Sequence, residues 1–304
     1  MRRPHFLIVG ASGFIGAHLY SRLGPERAIA TYYRNPIAGG IYFDAGSMRL
    51  SDAILRGNHG LTHAFLLHGI AKLDACARDP QGTWKINVDN MKQMIDDLHA
   101  GGVTPIFTSS DAVFDGSRGM WTEEDETNPI LTYGRQKVAV EKYLMSMKSP
   151  WIIARLSKVV GANPGIRSLF DEWIKSIESG ETIRCTRDQI SSLANIDDVV
   201  TSLMRLAEGN FTGLFNVCGP RPLSRLDLLN MFIKEIQHYQ NVKVKIISCS
   251  IRDFSFIEDR PLDLSMSPKK LYSLLGTTFE DMKTVCRRAA MLRYGKHATS
   301  IARN

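Results

Sequence analysis

The 304-residue chain has only five cysteines: Cys76, Cys185, Cys218, Cys249 and Cys286. Their number is odd and their spacings are wide, so no disulfide framework, zinc knuckle or redox Cys-x-x-Cys pair is encoded. Reduced thiols in a cytoplasmic protein are expected. No apolar run reaches the roughly 18 residues that a membrane-spanning helix needs. Arg2-Arg3 before the apolar run 6–9 has the look of a leader, but Gly10, Gly13 and Gly16 interrupt it and no small-residue cleavage site follows. There is no glycine period, heptad, internal repeat or low-complexity linker. His59 and His63 are four apart and lack a third ligand, so no metal site is expected.

Charge is the other imbalance. The net charge is +7, and residues 281–304 carry six bases against one acid, Asp281. Such an excess suits nucleic acid, membranes or phosphorylated ligands. No nucleic-acid motif accompanies it. A solvated basic tail is the plainer expectation, with neither nucleic acid nor membrane as partner.

What is present is a strand–helix alternation. Short apolar runs at 5–9, 28–33, 41–43, 61–67, 104–114 and 151–160 read as strands. Helical spacing falls between them at 14–23, at 80–100 from Pro80 to Gly101-Gly102, and at 131–147. After Gly161 the pattern loosens. Helices are expected at 166–179, 196–208 and 224–238, strands near 214–217 and 242–248, and two short helices near 267–275 and 279–292. The expected class is α/β: a doubly wound parallel sheet of the Rossmann type with a smaller, interleaved α/β substrate-binding region. Residues 1–160 would form the dinucleotide-binding domain and 161–304 mainly the substrate region, some of it returning to the first core.

Gly10-Ala11-Ser12-Gly13-Phe14-Ile15-Gly16 follows a strand and opens a helix, the context that makes a glycine pattern a dinucleotide site. Gly10 permits the turn, Gly13 lets backbone approach a pyrophosphate, and Gly16 lets helix and strand pack. Ser12, Phe14 and Ile15 complete the cradle. The second strand ends Tyr32-Tyr33-Arg34, and no acid follows before Asp44. A guanidinium there would pair with a 2′-phosphate that a carboxylate would repel, so NADP(H) is expected over NAD(H). Asp44 is a candidate for the adenine amino group.

Tyr133-Gly134-Arg135-Gln136-Lys137 is a Tyr-x-x-x-Lys pattern at a helix start. Residues i and i+4 share a face, and an ammonium there would lower the tyrosine pKa and make Tyr133 a proton donor or acceptor. Thr108, Ser109, Ser110 and Asp111 lie at a strand end, where ligands of open α/β sheets bind. A serine hydroxyl there can donate to a substrate carbonyl.

Taken in order, these motifs resemble the extended short-chain dehydrogenase/reductases, and within them the dTDP-4-dehydrorhamnose reductase group. GASGFIG resembles the cofactor loop, SSDAVFDG the strand-end motif, and EEDETNPILTYGRQKVAVEKYL the following loop and helix. ARLSKVVG, NIDDVV and RPLDLSMSPKKLYSLLG continue the match over nearly the whole chain. The resemblance implies a Ser110–Tyr133–Lys137 catalytic group, with Ser109 as fallback for the hydroxyl. It implies a structural role for Asn87 and a nearby water, and cofactor contacts along His68, Gly69, Asn87, Thr108 and Lys137. It departs from the family at Leu67-His68-Gly69, where an alanine-rich run is usual, and at Arg135-Gln136.

The implied activity is NADPH-dependent reduction of a 4-keto sugar nucleotide, with Tyr133 delivering the proton. Arg260 is a candidate for the substrate diphosphate. Two rivals keep the fold: an NAD-retaining epimerase or dehydratase, and a non-catalytic regulatory subunit like those of methionine adenosyltransferase. A dehydratase of the superfamily has an Asp-Glu pair where this chain has Asp111-Ala112. A homo-oligomer is compatible with the sequence, which does not fix the oligomeric state.

Overall fold

The four residues Phe6–Val9 are apolar and fully enclosed, and they form the central strand β1. The computed structural model describes residues 5–57, 60–163 and 169–301. His59 and the start of the helix expected at 166–179 lie outside them. Around β1 stand β2 (Ala28–Tyr32), β3 (Ile41–Tyr42), β4 (His63–Leu66), β5 (Thr104–Ser110), β6 (Ile152–Leu156) and β11 (Gly213–Val217). The seven strands are parallel in the order β11-β6-β5-β4-β1-β2-β3. Strand order reverses between β1 and β4, which opens a crevice beyond their carboxyl ends.

Helices cover both faces, as buried parallel strands require. On one face α1 (Phe14–Leu23), α7 (Ile196–Glu208) and α9 (Lys269–Leu275) bury Leu19, Leu203 and Leu271 against Ile8 and Phe65. On the other, α4 (Asn90–Ala100) and α5 (Thr132–Met145) bury Met91, Ile95, Val140 and Leu144 against Leu7 and Phe107. The expected helix over 80–100 is divided. After α2 (Leu73–Arg78), α3 (Pro80–Trp84) leads through a π turn at Lys85–Asp89 into α4. Widened turns of this kind concentrate at functional sites, and this one carries Asn87.

The second half has its own core. It includes Phe170 and Trp173 of α6 (Leu169–Glu178), Leu228 and Phe232 of α8 (Arg225–Ile236), and Val285 and Ala289 of α10 (Met282–Ile301). The small sheets pair β7 (Val159–Val160) with β10 (Ala194–Asn195), β8 (Ile183–Thr186) with β13 (Ile246–Cys249), and β9 (Ile190–Ser191) with β12 (Leu223–Ser224).

Three expectations need correction. The single strand over 151–160 is two strands, because at Ser157 the chain leaves the main sheet and the hydroxyl donates to the Ser192 carbonyl at 2.6 Å. The strand near 242–248 is only Ile246–Cys249. The short helix at 279–292 is a 20-residue helix, and three of its arginines are engaged in ion pairs rather than free in a solvated tail; Lys296 and Arg303 lie outside the described side chains. Arg287 pairs with Glu235, Arg288 with Glu280 and Asp197, and Arg293 with Glu178. Glu178, Asp197 and Glu235 come from α6, α7 and α8, and they meet these arginines only once α10 is packed in place.

Candidate active site

The crevice at the strand-order reversal deepens into a cavity of about 550 Å³ lined by both halves of the chain. Its floor is the turn after β1. Gly10 has φ +90°, a left-handed conformation that a side chain would strain, and a methyl on Gly16 would collide with the Gly10 carbonyl. Helix α1 therefore starts tight against β1. Its N-cap Gly13 supplies no side-chain cap and its first turn has no acid, so the N–H groups there remain available to an anion. A methyl on Gly13 would touch only the Gly10 carbonyl oxygen, at 3.3 Å, which leaves the backbone open to close approach. These features fit a dinucleotide pyrophosphate.

The opposite wall carries the expected reactive groups. Tyr133, Lys137, Ser109, Ser110, Thr108, Asn87, His68, Gly69 and Arg260 all line the cavity, together with Gly13, Phe14, Ile15 and Gly16. Gly10, Ser12, Arg34 and Asp44 do not. The carboxylate of Asp44 closes its own turn, accepting from the Gly46 N–H at 2.9 Å and the Ser47 hydroxyl at 2.8 Å. Arg34 is exposed, 5.5 Å above the Tyr33 ring.

Helix α5 approaches the strand end because Gly134 lies against the Ala112 carbonyl, where a methyl could not fit. Lys137 then donates to the Thr108 carbonyl at 2.7 Å and stands 5.5 Å from the Tyr133 ring centroid. The expected lowering of the Tyr133 pKa is reversed. Burial, with Asp111 and Cys76 nearby, pushes the phenol well above its ordinary value. The ammonium lies over the rings of Tyr133 and Phe107 and bonds to backbone. Burial brings Lys137 itself down to about 8, against the opposing pull of Glu141 and Cys76.

The two serines face different partners. Ser109 is buried and its hydroxyl donates to Glu141 at 2.5 Å, so its proton is not directed at a substrate. Ser110 accepts from the Ala112 N–H at 3.2 Å and donates to the Asp111 carboxyl at 2.9 Å. Asn87 clamps the wall. Its amide accepts from the Ile70 N–H at 2.7 Å and donates to the Ile70 carbonyl at 3.0 Å and to Gln136 at 2.7 Å. His68 has its Nε2 enclosed without a partner among the described residues, and burial beside Lys137 lowers its pKa.

Several groups were missed by sequence reasoning. Lys158, between β6 and β7, and Gln189 and Arg225 of the second half line the cavity. Glu141 forms a buried pair with Arg155 at 2.8 Å; its position one turn beyond Lys137 was a readable signal. Glu258 accepts from the Thr132 N–H at 3.0 Å and so caps α5, a contact across 126 residues that no local pattern announces. The Arg260 guanidinium, 7% exposed, pairs with Asp74 and lies 4.4 Å from the Phe256 ring centroid. Its Nη1 has no partner among the described residues.

A doubly wound parallel sheet with a glycine turn at its switch point and a Tyr–Lys helix beside it defines a Rossmann-type protein. More particularly, the chain belongs to the RmlD substrate binding domain family, whose model matches residues 4–291. It is 28% identical over 162 residues to the probable low-salt glycan biosynthesis reductase Agl14 of Haloferax volcanii, covering 51% of this chain and 53% of that one. The match therefore spans about half the length of that relative. It is 26% identical over 247 residues to methionine adenosyltransferase 2 subunit beta of Bos taurus, covering 73% and 69%. The fold superimposes on dTDP-4-dehydrorhamnose reductase from Bacillus anthracis in complex with NADP, with a TM-score of 0.81, 20% identity and coverage of 98% and 100%. Among the described residues no helix is long and apolar enough to cross a membrane.

Proposed function

We propose that the protein is an NADPH-dependent reductase of a 4-keto sugar nucleotide. The observation that carries this reading is the convergence of Tyr133, Lys137 and Ser110 on one wall of a cavity whose floor is the glycine turn. The residues of 1–160 would hold the dinucleotide and those of 161–304 would face the sugar nucleotide. Gly13, Phe14, Ile15 and Gly16 would hold the pyrophosphate, Lys137 a ribose, and Arg34 a 2′-phosphate. The Bacillus anthracis structure with NADP supports that preference. A bound NADPH supplies the hydride. The chain's residues do the rest. Tyr133, kept as a neutral phenol by burial, delivers its proton to the oxygen of the substrate carbonyl. Ser110 polarises that oxygen. Lys137, bonded to Thr108, positions the phenol and stabilises the charge it develops. Lys158, with Arg225 and Arg260 from the second half, would offer cationic groups to a diphosphate.

The test is to mix protein, NADPH and a panel of 4-keto sugar nucleotides and follow loss of reduced-cofactor absorbance. The reading expects oxidation with at least one of them, and none by Tyr133→Phe. No oxidation by either protein defeats it and favours the regulatory-subunit reading that the bovine relative invites.

A further inference from the structure

Ser110 can give its hydroxyl proton to one acceptor only. In the structure Oγ is already engaged twice: it accepts from the Ala112 N–H at 3.2 Å and its hydroxyl donates to Asp111 Oδ1 at 2.9 Å. An ionised Asp111 would take the serine proton and leave Ser110 nothing to offer a substrate. It would also set a negative charge beside the point where the substrate oxygen becomes negative, and beside Tyr133.

We propose that Asp111 acts as an un-ionised carboxylic acid that orients Ser110, donating to its Oγ so that the serine hydroxyl donates to the substrate carbonyl. This rests on the reductase reading above. In that state every group is satisfied: Oγ accepts from Ala112 and from the Asp111 acid, and its own proton points at the substrate. Asp111 is a positioning residue, since it acts through Ser110. The step balances without it. The carbonyl carbon accepts hydride, the C=O π pair moves onto oxygen, and oxygen takes the proton of Tyr133. Ser110 and Asp111 keep their protons throughout.

The surroundings favour the acid form. Asp111, half-buried just past the end of β5, lines the cavity. Tyr133 on α5 and Cys218 after β11 both feel its charge. Lys158, between β6 and β7, is the cation that opposes neutrality, and burial outweighs it, holding the carboxyl up at about 6. An anionic dinucleotide and an anionic substrate in the same cavity would raise it further.

The experiment measures kcat/KM against pH for wild type, Asp111→Asn and Ser110→Ala, with circular dichroism to verify folding. Wild type is expected to lose about a hundredfold as pH rises through the Asp111 transition, the scale of losing an oxyanion donor. Asp111→Asn should show no such transition, because its amide donates to Ser110 at every pH. Ser110→Ala should also lack it, having no hydroxyl to orient. A transition that persists in Asp111→Asn, or a wild type that lacks it, overturns the proposal. Infrared difference spectroscopy of wild type against Asp111→Asn gives a reading without substrate. A protonated-carboxyl band should titrate near pH 6, and its absence at about pH 5 would also overturn the proposal. Wild type inert at every pH, with that band present, means instead that the reductase reading has failed.

Discussion

Lys137 Nζ donates to the backbone carbonyl of Thr108 at 2.7 Å, and this bond fixes the helix of Tyr133 against the strand that ends in Ser110. Its consequence is a pH limit. Burial lowers the lysine to about 8, so its ammonium is present below that value and is lost as pH rises through it. The rate of reduction should therefore fall above about pH 8. Lys137→Met should lose about a hundredfold or more in kcat at all pH values and show no such limb. Steady-state profiles with NADPH and an accepted keto-sugar nucleotide check this.

Asn87 joins the loop after β4 to α5 through Ile70 and Gln136. Asn87→Ala leaves the Ile70 N–H and the Gln136 amide oxygen enclosed without partners. The expected loss is about 1–3 kcal/mol of stability, read by urea denaturation, with weaker NADPH binding. Asn87→Asp keeps the acceptor for Ile70 and loses both donors, so it should recover only part.

How much of this was legible follows from range. The glycine turn, Tyr133 and Lys137 lie in local patterns with a direct mechanical meaning, and the strand–helix alternation gave the parallel sheet. The division between β6 and β7 and the length of α10 were not readable, because both depend on tertiary contacts. Among the buried residues of α1, beside Leu19 and Leu23, is Gly16. Glycine, having no side chain, is invisible to a hydrophobic pattern. The raised Tyr133 pKa was misjudged for a related reason: helical spacing puts the ammonium nearby, but burial is a property of the whole fold.

Glu141 and Arg155 form an ion pair in which both side chains are no more than 3% exposed, and Ser109 is tied to it. Removing one partner strands a buried charge. Glu141→Gln should cost about 3–5 kcal/mol, and Glu141→Leu with Arg155→Met together much less than the sum of the two single changes. Chemical denaturation of the four proteins in the cycle measures it.

Arg34 stands exposed at the end of β2, with no acid following before Asp44. Arg34→Ala should raise the Kd for NADPH about tenfold or more, the loss of roughly one charge-assisted hydrogen bond. NADH affinity should change little. Fluorescence titration with both cofactors distinguishes this from a general loss of binding.

Isotope transfer tests the reductase reading most directly. NADPH carrying deuterium at the transferable position of the nicotinamide is incubated with the protein and an accepted 4-keto sugar nucleotide, and the product is analysed by mass spectrometry and NMR. The expected result is one deuterium on carbon 4 of the sugar for each cofactor oxidised, abolished by Tyr133→Phe. A sugar inverted or dehydrated without label, or recovered unchanged, would contradict it.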